Sequence, residues 1–491
     1  MMKKLSLLLV TFILIGTLTV SFSSCSQLTS LLDGLTKDTD VESDVVDDDH
    51  QVDDGYVADD LPEYDFDGEK VIILAPTWRN TPDYILQKSF KGGDIVSEAM
   101  VKAYYTVAER FNMEIELLLL GDQKVTQSKV ETEAISGEKM YDIVYNHDLR
   151  TVANAINGCF LDIKTMENVN LDNPWWTASS NKFQVADKLY FTSSYLGIWA
   201  PYMNFGLYYN KVMAEENGIT IPYDDIKAGE WYIDDLIQLT KNMKYDLDGD
   251  GLITPENDNY GFVTGYHGNV AAQTNLLGTF IEQTSNGGNK LNVNVSKASS
   301  YMDKMAELYS NGLGNYEGVE SNNISVFKGG RSLFIYTETR ILVENINDIK
   351  FAWGVLPFPK YDDAQEEYSS AGYDLFWGVN KNMYDRTEII STAIEALSCQ
   401  NYNKVIPTIW EKVFGNRLAD MSIDYQMVAI VRDTTFVNPD YVYSDQIMGM
   451  SNLLNLWDTS DESGVASYIT ANAAPAQVSL KLFAEKIAAL P

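Results

Sequence analysis

The 491-residue chain has few cysteines, few histidines and little positive charge. Three cysteines cannot build a disulfide framework. Cys159 and Cys399 lie in apolar stretches, INGCFLDI and AIEALSCQ, without metal-ligand spacing, and read as small buried hydrophobes. Of three histidines one lies in an acidic run, which leaves little for zinc or histidine-based catalysis. The sequence carries no G-x-S-x-G, no H-E-x-x-H and no phosphate-binding P-loop. Thirty-six Lys and Arg against 70 Asp and Glu give a net charge of −34. That balance excludes nucleic acid, whose phosphates need basic side chains, and any polyanion held by bulk charge. Neutral solutes or cations suit it.

What the chain does have begins at its first residues. A basic Met1-Met-Lys-Lys is followed by the apolar run LSLLLVTFILIGTLTVSF and then by Ser23-Ser24-Cys25. Small residues before a cysteine resemble the lipobox of bacterial lipoproteins. By that resemblance residues 1–24 are a signal peptide, and Cys25 becomes a diacylated N-terminus on the outer face of the cell membrane. The competing reading is one membrane-spanning anchor, but no stop-transfer charges follow the run. From Asp38 to Asp67 there are fourteen acids and no base. Such a stretch repels itself, so residues 25–67 read as an extended acidic tether. About 420 residues remain, enough for two domains with substantial cores. From Gly68 onward 55 acids and 33 bases still leave −22.

The body opens with alternating strand and helix. KVIILAPT, MEIELLLLG and YDIVYNHD read as strands, with DIVSEAMVKAYYTVAERFN and KVTQSKVETEAISGEKM as helices between them. This order predicts right-handed crossovers and a parallel α/β sheet, with ligands beyond the strands' carboxyl ends. Further on, ADKLYFTSS reads as an edge hairpin, FGLYYNK as a strand and GEWYIDDLIQLTKNM as a helix with acids in its early turns. The helix leads into YDLDGDGLITPENDNYGF. There Asp246, Asp248 and Asp250 alternate before Gly251, as at the start of an EF-hand calcium loop. The twelfth position is Asn257 rather than the bidentate Glu an EF-hand supplies, and no second such loop occurs. Many of the thirty Tyr and nine Trp must pack cores, but so many are also what a sugar-stacking surface requires.

Taken in order, these pieces resemble the extracellular solute-binding proteins of bacterial ABC importers, in the carbohydrate-binding branch that includes maltose-binding protein. The resemblance rests on FGLYYNK, the helix opening at Trp231 with Asp234 and Asp235, the Asp-rich loop into NYGF, VFKGGRSLFIYTETR, IKFAWGVLPFPKYDD, SSAGYDLFWGVNKN and the helix TEIISTAIEALSCQN. It runs collinearly from about Gly68 to the C-terminus. It departs from the family where PYDDIKAGEW replaces the usual Pro-x-Thr-Trp. It implies an α/β, two-lobed type II periplasmic-binding-protein fold with a hinge and a ligand cleft at the lobe interface. Lobe one is expected at residues 68–199 plus 373–400, and lobe two at 200–372 plus 401–491. The implied function is a monomeric, lipid-anchored, non-enzymatic binding protein that captures a carbohydrate, an oligosaccharide in most members, for a membrane permease. A surface sensor docking on a receptor keeps the same cleft. A glycoside hydrolase needs two carboxylates flanking the bond, and 70 acids do not exclude such a pair, although the family brings no catalytic motif.

A saccharide needs flat rings against its C–H faces and polar groups around its hydroxyls. Trp78 and Asn80 follow the first strand and His147, Asp148 and Arg150 the third. The last three resemble the family's ligand-contacting HDR stretch with one residue inserted. The resemblance points in lobe two to Tyr202, Asn204, Tyr266, His267, Tyr336, Glu338 and Arg340, with Tyr336 where the family places a stacking aromatic. Tyr373 and Asp374 fall at the return hinge. Glu338 and Arg340 could equally pair with each other, and Trp78 could be a core ring. Of Trp175 and Trp176, one reads as packing and one as rim. Some relatives hold a structural Ca²⁺ in an Asp-rich loop outside the cleft. That likeness implies Asp246, Asp248, Asp250, the Leu252 carbonyl and either Asp258 or Glu256 as ligands.

Overall fold

In the computed structural model the described residues are 56–490, apart from 79–80, 90–93, 178–179, 285–287, 315–319, 374, 415–420 and 457–463. Cys25, Asn80 and Asp374 therefore lie outside them, as do the signal peptide and most of the expected tether. Among the described residues the strands are β1 (Glu69–Ala75), β2 (Met113–Leu119), β3 (Ile143–His147), β4 (Phe205–Asn210), β5 (Tyr260–Thr264), β6 (Ile281–Gln283) and β7 (Asn289–Leu291). They continue as β8 (Gly312–Gly314), β9 (Ser332–Glu338), β10 (Trp353–Leu356), β11 (Ser370–Gly372), β12 (Leu375–Val379) and β13 (Thr435–Val437).

Two sheets carry the molecule. The first has the order β12-β3-β1-β2, with β1 parallel to β2 and β3 and with β12 antiparallel at the edge. The second has the order β10-β4-β9-β5-β8, parallel through β9, β5 and β8. This is the two-lobed α/β architecture expected, and the helices form where the periodicity put them. In Ile95–Phe111 the Asp94 side chain accepts from the Val96 amide, Val96, Met100, Tyr104, Val107 and Phe111 are buried, and Asn112 ends the helix with φ 45°. Between the lobes, β11 and β13 pair in parallel, and Asn204 bridges Gly372.

Three sequence expectations change. Residues 56–67, expected in the tether, pack on the body, because apolar and paired residues are interleaved with their acids. Val57 N–H donates to Asn403 Oδ1 (2.8 Å), Arg110 holds Asp59 (2.8 Å), Leu61 is buried, and Asn112 donates to Asp65 (2.8 Å). Residues 401–414 pack on helices Ile95–Phe111 and Thr387–Gln400, so they belong with lobe one, not lobe two. ADKLYFTSS shortens to one turn at Ala186–Asp187, both at positive φ, after which Thr192 pairs with Trp377 on the outer edge of β12.

Trp175 and Trp176 are both buried, so neither forms a rim. Their indole N–H groups donate to the Glu395 carboxylate at 2.9 Å and 3.2 Å, and Asn173 donates a third bond at 2.6 Å. Burial outweighs these donors and pushes Glu395 up from the ordinary 4.5 to about 7. Between those values the native state keeps a proton that the unfolded state has released, so this group's stability contribution falls as pH rises from 4.5 to about 7. Urea unfolding of Glu395→Gln across that window should lack this part of the slope. An unchanged slope would show that Glu395 is ionised throughout.

Candidate ligand cleft

The polar residues of the site sit where strands give way to helices. β1 ends before Pro76-Thr77-Trp78, and β3 ends at His147, with Asp148 opening helix Asp148–Ile156. In the second sheet β9 ends at Glu338, and β5 leads through Gly265 into helix Tyr266–Leu277. Both sheets thus bring the ends of their parallel strands to one place, as the topology requires of a ligand crevice.

A cavity of about 90 Å³ lies there, lined by Trp78, His147 and Asp148 from the first lobe and by His267, Glu338 and Tyr373 from the second lobe and the crossover. Trp78 stands edge-on to His147 (5.5 Å between centroids) and near Trp199 (6.3 Å). Opposite, Tyr373 packs edge-on to His267 (5.1 Å) and Tyr441 (4.7 Å), and its hydroxyl donates to the His267 carbonyl (3.0 Å). Burial, with Tyr441 and Glu338 nearby, raises the Tyr373 hydroxyl well above its ordinary pKa, so it stays a neutral donor. His147 Nδ1 lies 2.5 Å from Asp148 Oδ1, which also accepts from the Leu149 amide. Glu338 is buried and held by Arg340 at 2.8 Å, and Arg340 also reaches Glu344 at 3.0 Å. The site therefore offers two carboxylates, one beside an imidazole and one beside a guanidinium, with a second imidazole and aromatic walls.

Six of the sequence-predicted residues meet in this cavity, and the other described ones do not. Tyr266 stacks edge-on against His267 without lining the cavity. Arg340 stands behind Glu338, the mutual pair anticipated as its alternative. Arg150 donates to Gln127 (3.5 Å), since it stands two residues beyond Asp148 in the same first turn and so on another face of the helix. Tyr202 is buried against Tyr84 (5.1 Å). Asn204 is buried in the crossover, its amide donating to Val431 O and Thr435 Oγ1. Tyr336 is a core residue. Its ring packs on Phe358 (4.2 Å) and Phe205, and its hydroxyl accepts from Asn275 (2.7 Å). It lies two residues inside the strand end, so Glu338 reaches the cavity and Tyr336 does not.

Sequence reasoning missed Trp199, Met203, Leu375 and Tyr441, which also line the cavity. Trp199 and Met203 stand on the short helix Trp199–Met203, whose GIWAPYM run fitted no strand end. Tyr441, far along the chain on Pro439–Val442, carried no local signal.

The Asp-rich loop lies between helix Ile233–Thr240 and β5, apart from this cavity. Oxygens of Asp246, Asp248 and Asp250 lie within 4.8 Å of one another. Gly249 and Gly251 have φ 78° and 85°, which lets their amides turn onto Asp246 (2.6 and 2.7 Å). Asp258 falls outside this cluster. It is buried, and both of its oxygens accept backbone amides, from Leu247 and Thr254 at 2.7 Å, which hold its pKa down. It braces the loop from behind. Three converging carboxylates fit a hard cation.

No protein-family model matches the chain, and no curated protein does. Among solved structures it is similar to the maltose/maltodextrin-binding domain of Bdellovibrio bacteriovorus bound to maltotriose, at 15% identity over 84% of this chain and 99% of that one, TM-score 0.50. The fold is shared. The GacH receptor of Streptomyces glaucescens, solved unliganded and with acarbose, matches at 12% identity over 86% and 100% of the two chains, TM-score 0.48. The solute-binding protein RafE in complex with raffinose matches at 15% over 83% and 100%, TM-score 0.47.

Proposed function

We propose that this protein captures a carbohydrate between its two lobes and delivers it to a membrane permease, without chemical turnover. The observation that carries this reading is the lining of the cleft, where aromatic walls and carboxylates sit at facing strand ends. Rings supply stacking surface for sugar C–H faces, and Asp148, Glu338 and the imidazoles supply partners for hydroxyls. The maltotriose in the similarly folded domain is of the same ligand class. Asp148 lies beside His147 and Glu338 beside Arg340, so each carboxylate is held in place at the cleft by a neighbouring side chain. The 90 Å³ cavity is far below the roughly 300–1,000 Å³ of small-molecule sites. A saccharide therefore enters when the lobes part about the crossover, and reclosure removes water from its polar contacts.

A glycan panel read by thermal shift identifies the ligand, since a molecule that binds only the native state raises the melting temperature. With that ligand, Trp78→Ala should weaken calorimetric binding by about thirtyfold, the ~2 kcal/mol of a desolvated anchor, and leave the melting curve near that of the parent. Tyr336→Ala should instead lower the melting temperature through the cavity it leaves in the second sheet. Unchanged affinity in Trp78→Ala would move the site elsewhere.

Ca²⁺ held by Asp246, Asp248 and Asp250 belongs to the same reading, as a brace on the connection into β5. Calcium should raise the melting temperature, and chelator should lower it. Asp248→Ala with Asp250→Ala should abolish that response without altering ligand choice. Identical curves with calcium and with chelator would remove the ion from the account.

The anchor is proposed at Cys25. About thirty residues separate it from Tyr56, the first described residue, and at ~3.4 Å each they would span at most about 100 Å. Cys25→Ala should release the protein to the medium or leave its signal uncleaved, as fractionation and intact mass will show. A processed, membrane-bound Cys25→Ala protein would overturn this assignment.

A further inference from the structure

A second cavity, of about 500 Å³, lies at the far end of helix Tyr266–Leu277. His267, in the helix's first turn, lines the cleft; Thr274 and Asn275, two turns on, line this cavity. Its volume falls within the roughly 300–1,000 Å³ of small-molecule sites. Both lobes wall it. Lys182 comes from the turn Ser180–Phe183 of the first lobe and Lys297 from helix Val295–Ser310 of the second, while Thr434 and Phe436 come from β13 and the residue before it.

The two lysines set the chemistry. Lys182 Nζ lies over the Phe436 ring (5.0 Å) and Lys297 Nζ over the Tyr361 ring (4.6 Å). Elsewhere in this acid-rich chain Lys88, Lys129 and Lys211 each hold a carboxylate, within 3.3 Å. Loss of hydration lowers the pKa of both cavity lysines, only partly offset by Asp440 and Asp362. Asp440, the acid facing Lys182, has its oxygens turned to the Phe280 and Ile281 amides (2.5 and 3.0 Å). The carboxylates that line the cavity stand at its edge. Glu367 is exposed, and Asp433 is held by Arg432 at 2.7 Å. Both lysines stand on the wall of this cavity, and an anionic group entering it would gain charge-assisted bonds, which are the strong ones.

We propose that this cavity is a second ligand site, for a small organic anion whose carboxylate or phosphate sits with Lys182 and Lys297 and whose uncharged body lies against Phe436 and Tyr368. The assignment does not depend on what the cleft binds.

The test uses the full-length protein with glucuronate, glucose 6-phosphate and, as the uncharged control, glucose. Acetylation of each lysine is followed by peptide mass spectrometry, beside a thermal shift. Either acid sugar should slow acetylation of Lys182 and Lys297 severalfold and raise the melting temperature by a few degrees, and glucose should do neither at these lysines. Which acid sugar acts decides between carboxylate and phosphate. Lys182→Gln with Lys297→Gln should lose the anion-specific shift, and a Trp78→Ala background, impaired in the cleft, should keep it. Should the double variant fail to fold, protection in the parent protein still decides. Absence of protection with both acid sugars, or its loss in Trp78→Ala, would overturn the proposal, the latter by placing the anion in the cleft.

Discussion

Two sheets can share a ligand only if their strand ends are held face to face, and Asn204 is where the crossing segments are tied. Its carbonyl accepts from Thr339 at the end of β9 (2.8 Å), its amide donates to Val431 and Thr435 ahead of and within β13, and its backbone bridges Gly372 of β11. The residue is wholly buried, so each bond is worth more than its solvent-exposed counterpart, and each would be costly to leave unmade. Gly372 is part of the same constraint. A Cβ there would lie 2.9 Å from the Met203 carbonyl and 3.0 Å from Asn204 Cα, both backbone atoms that cannot swing aside. With the crossover fixed in this way, Tyr373 and Leu375, which follow Gly372, are delivered to the cleft, and so are Trp199 and Met203, which precede Asn204.

The charge of the chain is handled differently inside and outside. Most of the acids are solvated, but those that enter the interior have assigned partners: Asp148 has His147, Glu338 has Arg340, Asp142 has Arg386 at 3.0 Å and Asp424 has Lys211 at 2.5 Å. Asp258, Asp440 and Glu395 are met by N–H donors and not by an ion pair, and burial raises the pKa of the last two. Buried pairs do little for net stability. In the cleft they do something else, which is to hold the carboxylates of Asp148 and Glu338 at fixed places.

What could be read from the sequence was what is local. Strand–helix alternation, the parallel first sheet and the Asp-rich loop follow from periodicity and spacing over ten or twenty residues. Trp78, His147 and Asp148 follow from the rule that ligands lie beyond strand ends, which needs only the strand to be recognised. Tyr336 and Glu338 show the limit. Both stand on β9, two residues apart, and the position of the strand's end decides which is core and which is cleft. Tyr441 reaches the site only because the chain after β13 returns to pack on helix Asp148–Ile156, a long-range contact with no signature in its own neighbourhood. Asn204 was placed at the crossover correctly, but a polar side chain there serves the backbone instead of a ligand.

The narrowness of the cleft has an energetic consequence for whatever it binds. With a cleft cavity of only about 90 Å³, Trp199, Leu375 and Tyr373 are already largely out of water before any ligand arrives. Parting the lobes re-exposes that apolar surface, at about 25 cal/mol per Å². Under the proposed reading the binding-competent form would be a fraction of the population, and the observed affinity would be the intrinsic one reduced by that fraction. A sugar would recover the cost only by covering the same rings and meeting the same buried carboxylates. Ligands with an apolar face and a hydroxyl-bearing edge do both at once, whereas a purely polar solute leaves the rings wet and a purely apolar one leaves Asp148 and Glu338 without the partners water had provided.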